Sequence, residues 1–551
     1  MQTFHGASLH RFLPYLAVVV FVGLSCAALT SHFNFVDDSY YVSVAKALAS
    51  GQGYTNIYLP EPVRHTHFPP GLPALLSVPM RLGLALGPTI ILSKLILILC
   101  AALGLLAFLS LGRIEGYKEA VVAWAVALAA VSIALVGYTC RVGSEMPYML
   151  LSVLALLAAR RYRLGTQMSW PGIWWGIAAG VLLAFAILTR TIGVMLLGGL
   201  AIDMVWRCEF KRLGVILAPA GLILMAWFLR TSGSTGTSDY FKEFEVYRSH
   251  HSGSLPLILT EPARNVWSLV HTDIPRIILS LLGSDAVQTG KVLGLAAAPL
   301  QLGVSALVLA GLLVSLRSKA RPIGLYLVLY SMLIIIYPWE PSRFLVPVVP
   351  FLCLFFVDGL VLVAQRLTGW RKSLPVMWLP QLVSVVLVIC VASSLVSDAR
   401  FVATTRRTGD YSPRAAEEWN DTMDAYRWIE VNTPENAVIG CAPTIEANVY
   451  LFTGRKAIAI SANIAGLAPP GVSYVLKIAN KADYGSLQRR IEDRVVRALQ
   501  EDVDRTGIAP VFENQGAVIY RIGRVEPANS PDHQPASTSA SPIVPSAAAK
   551  H

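Results

Sequence analysis

Residues Phe12 to Leu29 read FLPYLAVVVFVGLSCAAL, an apolar block of membrane-spanning length that directly follows His10 and Arg11. A helix needs about 20 predominantly apolar residues to cross the hydrocarbon core of a bilayer. Because no small-residue cleavage site ends the block cleanly, we interpret it as a retained membrane helix rather than a signal peptide, with its N-terminus in the cytoplasm. The stretch predicts an integral membrane protein.

Further apolar blocks of similar length recur through the first 400 residues. They centre near residues 100, 128, 152, 180, 199, 221, 305, 330, 355 and 386, which gives about eleven predicted spans. Only 14% of the 551 residues are charged, against about 25% in a soluble globular protein, and the mean hydropathy is +0.56. This composition excludes a water-soluble multidomain enzyme, and the long apolar blocks exclude a disordered or fibrous chain. The chain has no P-loop, GxGxxG or HExxH motif, so nothing indicates a nucleotide-driven pump or a nucleotide-sugar enzyme.

The formal net charge of +11 has two explanations, a nucleic-acid partner or the Lys and Arg excess of cytoplasmic membrane turns. With residue 1 in the cytoplasm, the predicted cytoplasmic turns hold most of the basic residues. The opposite short turns hold only Lys46, Arg64, Arg141, Arg190 and Arg343. This distribution favours a membrane protein with membrane lipids and no nucleic acid as partners. An odd number of spans places everything after residue 397 outside the cytoplasm.

The predicted organisation has three parts. Residues 1–397 form a transmembrane domain with long outer loops at 31–70 and 231–293, residues 398–524 form a soluble domain outside the cytoplasm, and residues 525–551 form a disordered tail. In the soluble part, helix-like stretches alternate with β-like runs, which predicts a small α/β or α+β domain. The predicted helices are Ala415–Glu430 and Ser486–Asp502, and the predicted strands are Ala437–Gly440, Lys456–Ile460, Tyr474–Ile478 and Gly516–Ile522.

An acidic pair, Asp37-Asp38, lies just beyond the first predicted span. Carboxylates at the membrane surface can supply a general base, bind a divalent cation such as Mg²⁺ or Mn²⁺ through oxygen, or do both. The alternative is structural, with Asp38 or Ser39 capping an amphipathic helix over Tyr40–Leu48. A cap uses one carboxylate and leaves the other unexplained.

A second polar stretch, residues 64–71, reads RHTHFPPG. Pro69-Pro70 prevents helix formation and fixes an extended approach to the next apolar block. In an extended strand His65 and His67 share a face, which would meet a phosphate or a metal. The alternative is a pair of solvated loop histidines, and the HxH spacing alone does not decide between them.

Charged residues also stand at the predicted outer ends of later spans. Glu145 begins one of them, with Arg141 as its expected structural partner across one helical turn. Arg190 and Arg343 run against the charge bias of the turns, so they either bind a lipid-linked phosphate or snorkel at the interface. Together with the acidic pair and the histidines, they predict chemistry on an anionic lipid-linked substrate at the outer membrane surface.

Several of these stretches resemble segments of GT-C glycosyltransferases, and most closely those of the protein O-mannosyltransferase and lipid A aminoarabinose transferase families. The resemblance covers most of residues 12–460, in the family's usual order. It rests on Asp37-Asp38 with Tyr41 and Ala45, Gly51 with Gly53-Tyr54, Phe68-Pro69-Pro70-Gly71 with Pro73, Ser144 to Tyr148, Leu188-Thr189-Arg190, Arg343 to Pro347, Asn432 to Ile439 and Tyr450 to Arg455. The family's acidic pair usually reads Asp-Glu, and its aminoarabinose enzymes carry a lysine before Pro-Pro, where this chain has His67-Phe68.

The resemblance implies an all-α polytopic, GT-C-like membrane enzyme that transfers a sugar from a polyprenyl-phosphate donor to a lipid, glycan or protein acceptor on the outer face. Asp37 maps onto the family's proposed catalytic base, and Asp38 would orient the acceptor or help place a cation. We expect an inverting transfer in which Arg190, Arg343 and His67 hold the donor phosphate. The further predicted substrate-binding residues are Tyr41, His65, Arg141 and Glu145.

Two other classes of function stay open. A transporter or flippase of a lipid-linked saccharide would place its polar residues near the bilayer midplane, often in repeated broken helices. An outer-face binding scaffold would use the C-terminal domain to recruit partners. The position of the candidate residues at span ends, without an evident sequence repeat, favours the transferase.

Overall fold

The computed structural model describes residues 4–33, 36–165, 170–232, 255–283, 296–318, 320–337, 341–370, 378–410, 413–443, 445–460, 471–478 and 508–522. Helices dominate the first 400 residues, because long apolar segments satisfy their backbone hydrogen bonds internally. These helices are Phe4–Ala27, Val36–Ala49, Gly71–Met80, Leu86–Ile114, Glu119–Ala130, Ile133–Thr139, Glu145–Leu164, Trp170–Thr189, Val194–Trp206, Phe210–Thr231, Leu255–Ser268, Ile274–Ile278, Ala297–Arg317, Arg321–Ile336, Pro341–Leu345, Val349–Trp370 and Trp378–Thr408. Short 3-10 helices at Thr191–Gly193, Ser280–Gly283 and Val346–Val348 and a π-helix at Leu269–Asp273 connect some of them.

Each predicted span coincides with one of these helices or with a bent pair, but in the part of the chain that the structure describes, fewer than the eleven predicted have the length and composition of a membrane span. Within the described residues, seven helices are long and apolar enough to cross a membrane, and the pair Glu119–Ala130 and Ile133–Thr139, bent by 48°, adds an eighth if counted as one span. Helices Thr191–Trp206 and Arg321–Ile336 are apolar but shorter. The chain is an integral membrane protein, and the predicted polytopic all-α class is confirmed.

The first loop, residues 31–70, begins with a helix that starts earlier than predicted. Helix Val36–Ala49 includes Asp37 and Asp38 in its first turn. Asp38 therefore lies inside the helix and is not its N-cap, so the predicted capping role is wrong. Its carboxylate in the first turn still complements the helix dipole.

A short antiparallel hairpin completes this loop. Its strands β1 (Thr55–Asn56) and β2 (Val63–Arg64) pair Thr55 with Arg64. Helix Gly71–Met80 starts directly after Pro69-Pro70. The predicted extended approach is wrong, because Pro70, at the N-cap of this helix, has helical backbone angles (φ −76°, ψ −10°).

In the described part of the C-terminal region, a mixed sheet follows helix Pro413–Asn432. The strands, in spatial order, are β4 (Lys456–Ala459), β3 (Val438–Cys441), β5 (Val472–Ile478), β7 (Ala517–Arg521) and β6 (Pro510–Glu513). Strand β3 runs parallel to β4 and β5, whereas β7 is antiparallel to β5 and β6. Helix Glu446–Thr453 lies between β3 and β4 in the chain. The predicted small α/β or α+β domain is confirmed.

Strand β6 was not predicted, because it contains Pro510 and Glu513, and Pro and Glu are uncommon in strands. They are tolerated here because β6 lies at the edge of the sheet. The predicted domain boundary at residue 397 lies inside helix Trp378–Thr408. The predicted helix Ser486–Asp502 and the tail 525–551 lie outside the described residues.

The C-terminal domain packs on the first loop. Tyr40 Oη donates a hydrogen bond to Glu446 Oε2, and the backbone N–H of Ala457 on β4 donates to the Tyr58 carbonyl at 2.8 Å. Burial, and then the neighbouring Glu446 carboxylate, raise the pKa of Tyr40 well above its ordinary range, so Tyr40 remains a neutral donor. The sheet domain therefore holds the helix that carries Asp37.

Candidate active site

The predicted residues Asp37, Glu145, Arg190 and Arg343 come together as one connected set of ion pairs, which we call the charged network. Arg343 Nη1 donates to Asp37 Oδ2 at 2.6 Å, and its Nε donates to Glu145 Oε1 at 2.7 Å. Arg190 Nη1 lies 2.6 Å from the same Glu145 oxygen. Asp37 and Arg343 are 306 positions apart in the sequence, so only the fold assembles this network.

Each residue of the network stands at a helix end or a helix break. Asp37 and Glu145 lie in the first turns of their helices, where the dipole favours a carboxylate. Arg190 directly follows the last residue of its helix with an extended backbone (φ −152°, ψ 119°), and Arg343 lies in the short helix Pro341–Leu345. The network therefore sits where the helices of the bundle end.

Side-chain exposure differs between the two halves of the network. Asp37 and Arg343 are 24% and 21% exposed, whereas Arg190 is 10% and Glu145 only 4% exposed. A buried carboxylate costs several kcal/mol unless charged partners compensate, and Glu145 has two guanidinium partners. Glu145 is thus the buried anchor of the network, and Asp37 is its accessible carboxylate.

Two glycines, which the sequence interpretation missed as site residues, make room for the network. A Cβ atom on Gly143 would lie 2.1 Å from Glu145 Oε2, and one on Gly71 would lie 2.4 Å from Thr189 Oγ1, beside Arg190. Neither position leaves space for a side chain. The sequence signal that could have indicated Gly143 is its position two residues before an acidic residue at the start of an apolar span.

Aromatic side chains surround the arginines of the network. The Phe344 ring centroid lies 5.1 Å from Arg190 Cζ, a cation–π distance. Tyr330 Oη donates to the Phe344 backbone carbonyl at 2.6 Å, and the Tyr148 and Tyr326 hydroxyls are 2.9 Å apart. All three tyrosines are fully buried, and Tyr330 holds the backbone next to Arg343.

Asp38 occupies a different environment from its neighbour. It is 1% exposed and interacts electrostatically with the buried Lys94. Lys94 Nζ donates to the carbonyls of Thr30 (2.9 Å) and His32 (2.7 Å), which ties down the start of the first loop. This burial indicates a structural role for Asp38, and its predicted contact with acceptor or cation stays a prediction.

The prediction that Arg141 and Glu145 stand one helical turn apart is wrong. The helix begins at Glu145, with Ser144 at its N-cap, so Arg141 lies before the helix. The Arg141 Cζ atom lies 4.4 Å from the Tyr138 ring centroid. The partners of Glu145 are arginines remote in the sequence, which helical spacing could not indicate. A substrate contact by Arg141 stays a prediction.

His65 is buried, and both of its ring nitrogens bind within the first loop. Nδ1 lies 2.6 Å from Asn56 Oδ1, and Nε2 accepts the backbone N–H of Phe68 at 2.9 Å. Burial, followed by electrostatic interactions with His67 and Arg230, lowers the pKa of His65 to about 3, so the imidazole is neutral. His65 therefore stabilises the conformation of the stretch before Pro69. Its predicted contact with substrate stays a prediction.

We expect acid to destabilise the protein through His65. Its pKa falls from 6.5 to about 3 on folding, so between these values the unfolded chain binds a proton that the folded protein does not, and stability decreases as pH decreases. From pH 7 to pH 5 the loss is about 2 kcal/mol. Thermal unfolding of the wild type and His65→Gln in detergent at pH 7 and pH 5 measures this loss. An unchanged pH dependence in the variant would contradict the assignment.

Tyr41 joins the charged network to the stretch at residues 64–71. Its hydroxyl donates to Ser144 Oγ at 3.4 Å, next to Glu145, and its ring centroid lies 4.5 Å from that of Phe68. The His67 ring lies 4.4 Å from the same Phe68 ring. Tyr41 therefore lies beside the network, whereas the Phe68 ring lies between His67 and Tyr41.

The described residues do not fit a divalent cation at Asp37 and Asp38. The Arg343 guanidinium already lies 2.6 Å from the Asp37 carboxylate, and its charge would repel a cation. In the described part of the chain, no group of three His, Cys, Asp or Glu side chains could hold a metal ion. The paired guanidiniums instead offer the donors that suit a phosphate.

Solved structures of known proteins share this architecture. ArnT from Cupriavidus metallidurans, solved bound to undecaprenyl phosphate, has a TM-score of 0.54 at 13% identity over 92% of this chain and 97% of that chain. The oligosaccharyltransferase AglB from Archaeoglobus fulgidus, solved with an inhibitory peptide and a dolichol-phosphate, has a TM-score of 0.51 at 14% identity over 86% of this chain and 70% of that chain. The Archaeoglobus fulgidus oligosaccharyltransferase was also solved with Zn and sulfate, and has a TM-score of 0.53 at 15% identity over 84% of this chain and 68% of that chain.

No protein-family model matches the sequence, and no curated protein matches it. The likeness to ArnT and AglB shows that the chain shares their fold. The architecture that the sequence motifs implied is thereby confirmed, a helical membrane domain followed by a small C-terminal domain.

Proposed function

We propose that the protein is an inverting membrane glycosyltransferase that moves a sugar from a polyprenyl-phosphate donor to an acceptor at the outer face of the membrane. The observation that carries this proposal is the charged network, in which an accessible carboxylate, Asp37, adjoins guanidiniums within a GT-C fold. The reaction needs a base and a phosphate-binding cation in one site, because the base acts on the attacking oxygen and the cation on the leaving phosphate, on opposite sides of one anomeric carbon.

In the proposed reaction, Asp37 accepts the proton of the acceptor hydroxyl while the acceptor oxygen attacks the anomeric carbon. The bond from that carbon to the phosphate oxygen breaks on the opposite side, and its electron pair leaves with the polyprenyl phosphate. Arg190 and Arg343 bind the phosphate, whose negative charge increases as the bond breaks. Glu145 keeps both guanidiniums in place.

The nature of the donor is supported by the comparison structures and by the apolar surface. ArnT and AglB were solved with undecaprenyl phosphate and dolichol-phosphate, respectively, and have the same fold. Helix Phe210–Thr231 exposes large apolar side chains, including Leu222, Met225 and Phe228. Such a surface suits membrane lipids and the polyprenyl chain of the donor.

The distribution of charge supports the proposed outer location of the site. Helix Glu145–Leu164 carries Glu145 in its first turn and Arg161 and Arg163 in its last turn. By the positive-inside rule the arginine-rich end is cytoplasmic, so the network faces outward. The C-terminal domain packs on the first loop, and we place it on the same side, with residue 1 in the cytoplasm.

A transfer assay tests the proposal. Purified protein is incubated with synthetic short-chain prenyl-phosphate sugars, labelled in the sugar, and with an envelope extract that supplies lipid, glycan and protein acceptors. We expect protein-dependent transfer of label into one of these fractions. Label that crosses a liposome bilayer still attached to its prenyl phosphate, without transfer, would instead support a flippase.

A further inference from the structure

Asp37 is paired with Arg343, whose Nη1 donates to Asp37 Oδ2 at 2.6 Å. Arg343 is also one of the groups that the proposed function assigns to the donor phosphate. The guanidinium donors that would bind phosphate oxygens are, in this structure, directed at carboxylates. A carboxylate and a phosphate therefore compete for the same cation.

We infer that the donor phosphate replaces Asp37 at Arg343, so that donor binding releases the catalytic base. The inference rests on the proposed function and adds an order of events to it. The donor binds first, its phosphate takes over Arg343, and the freed Asp37 carboxylate then meets the acceptor hydroxyl.

Asp37, rather than Glu145, is the carboxylate that exchanges. Glu145 is 4% exposed and contacts both Arg190 and Arg343, whereas Asp37 is 24% exposed at the edge of the network. An incoming anion reaches the Asp37–Arg343 pair first, and an exposed pair is weaker than a buried one. Glu145 remains in place and keeps the two guanidiniums together.

Charge balance favours the exchange. With both carboxylates in place, the charges of the network cancel. When Asp37 leaves, Glu145 and the two guanidiniums carry one net positive charge, which an anionic phosphate neutralises. Asp37 thus stays paired with Arg343 until the donor phosphate is bound. This links the activation of the base to the presence of the donor.

Binding of farnesyl phosphate to the detergent-solubilised full chain tests the exchange. Asp37→Asn keeps the size of the side chain but removes the competing charge, so we expect it to bind farnesyl phosphate about three- to tenfold more tightly than the wild type. Farnesol controls for binding of the tail alone. Glu61→Gln, which removes an exposed carboxylate from the same loop, controls for the general loss of negative charge and should leave the affinity unchanged.

Equal or weaker binding by Asp37→Asn would overturn the exchange and leave the proposed transferase standing. Tightening of the same size in Glu61→Gln would also overturn it, because the effect would then be one of overall charge. Saturable binding to neither protein would overturn the proposed function and the exchange together. Asp37→Ala provides a second variant without the carboxylate, and a melting temperature near that of the wild type verifies that each variant is folded.

Discussion

Replacement of Asp37 by Asn is expected to lower the rate of sugar transfer by about 10²–10⁴-fold, the usual contribution of a general base. Asn is nearly isosteric and still presents an oxygen to Arg343, but it cannot accept the acceptor's proton. Initial rates at saturating donor, with a labelled short-chain prenyl-phosphate sugar, measure the effect. The loss should appear in kcat, while the KM for the donor does not rise.

Glu61→Gln is the matched control for this experiment, because it removes an exposed carboxylate from the same loop. It should retain the wild-type rate. Transfer by Asp37→Asn at the wild-type rate would exclude Asp37 as the base.

Glu145→Gln is expected to have the second large effect, a loss of about 3–5 kcal/mol in the free energy of unfolding. The substitution leaves Arg190 and Arg343 side by side in a largely buried site without their common counter-ion. The transfer rate should fall as well, because the guanidiniums lose the anchor that holds them. Thermal unfolding in detergent and initial rates measure the two losses.

A double variant separates charge balance from simple loss of packing. Glu145→Gln combined with Arg190→Gln removes one charge of each sign and should recover part of the lost stability. Asp203→Asn breaks another buried pair, with Arg163 at 2.8 Å, and should lower stability without changing the rate of the folded enzyme. A Glu145→Gln protein as stable and as active as the wild type would contradict the described network.

The residues of the network could be named from the sequence, but their pairing could not. Glu145, Arg190 and Arg343 attract notice because a charge at the outer end of an apolar span is costly or contrary to the positive-inside rule. Which of them pair depends on how helices pack, and Arg343 and Glu145 are 198 positions apart. Local reasoning therefore chose Arg141, the nearest arginine, as the partner of Glu145.

The fold was more predictable than the details of the loops. Hydropathy alone locates the helices, because each apolar block of about 20 residues has one low-energy structure in a membrane. The conformation of the first loop depends on single contacts, such as the hydrogen bond from Phe68 N–H to His65 Nε2. Such contacts leave no periodic pattern in the sequence. Gly143 illustrates the same limit, because its importance is steric and depends on the Glu145 rotamer.

The anomeric configuration of the transferred sugar tests the central claim most directly. A single displacement, with Asp37 as base and the polyprenyl phosphate leaving from the opposite side, inverts the configuration. Proton NMR of the product formed from a donor of defined configuration measures it through the coupling constant of the anomeric proton. We predict the inverted anomer as the only enzymatic product, and a product with the donor's configuration would contradict the proposed mechanism.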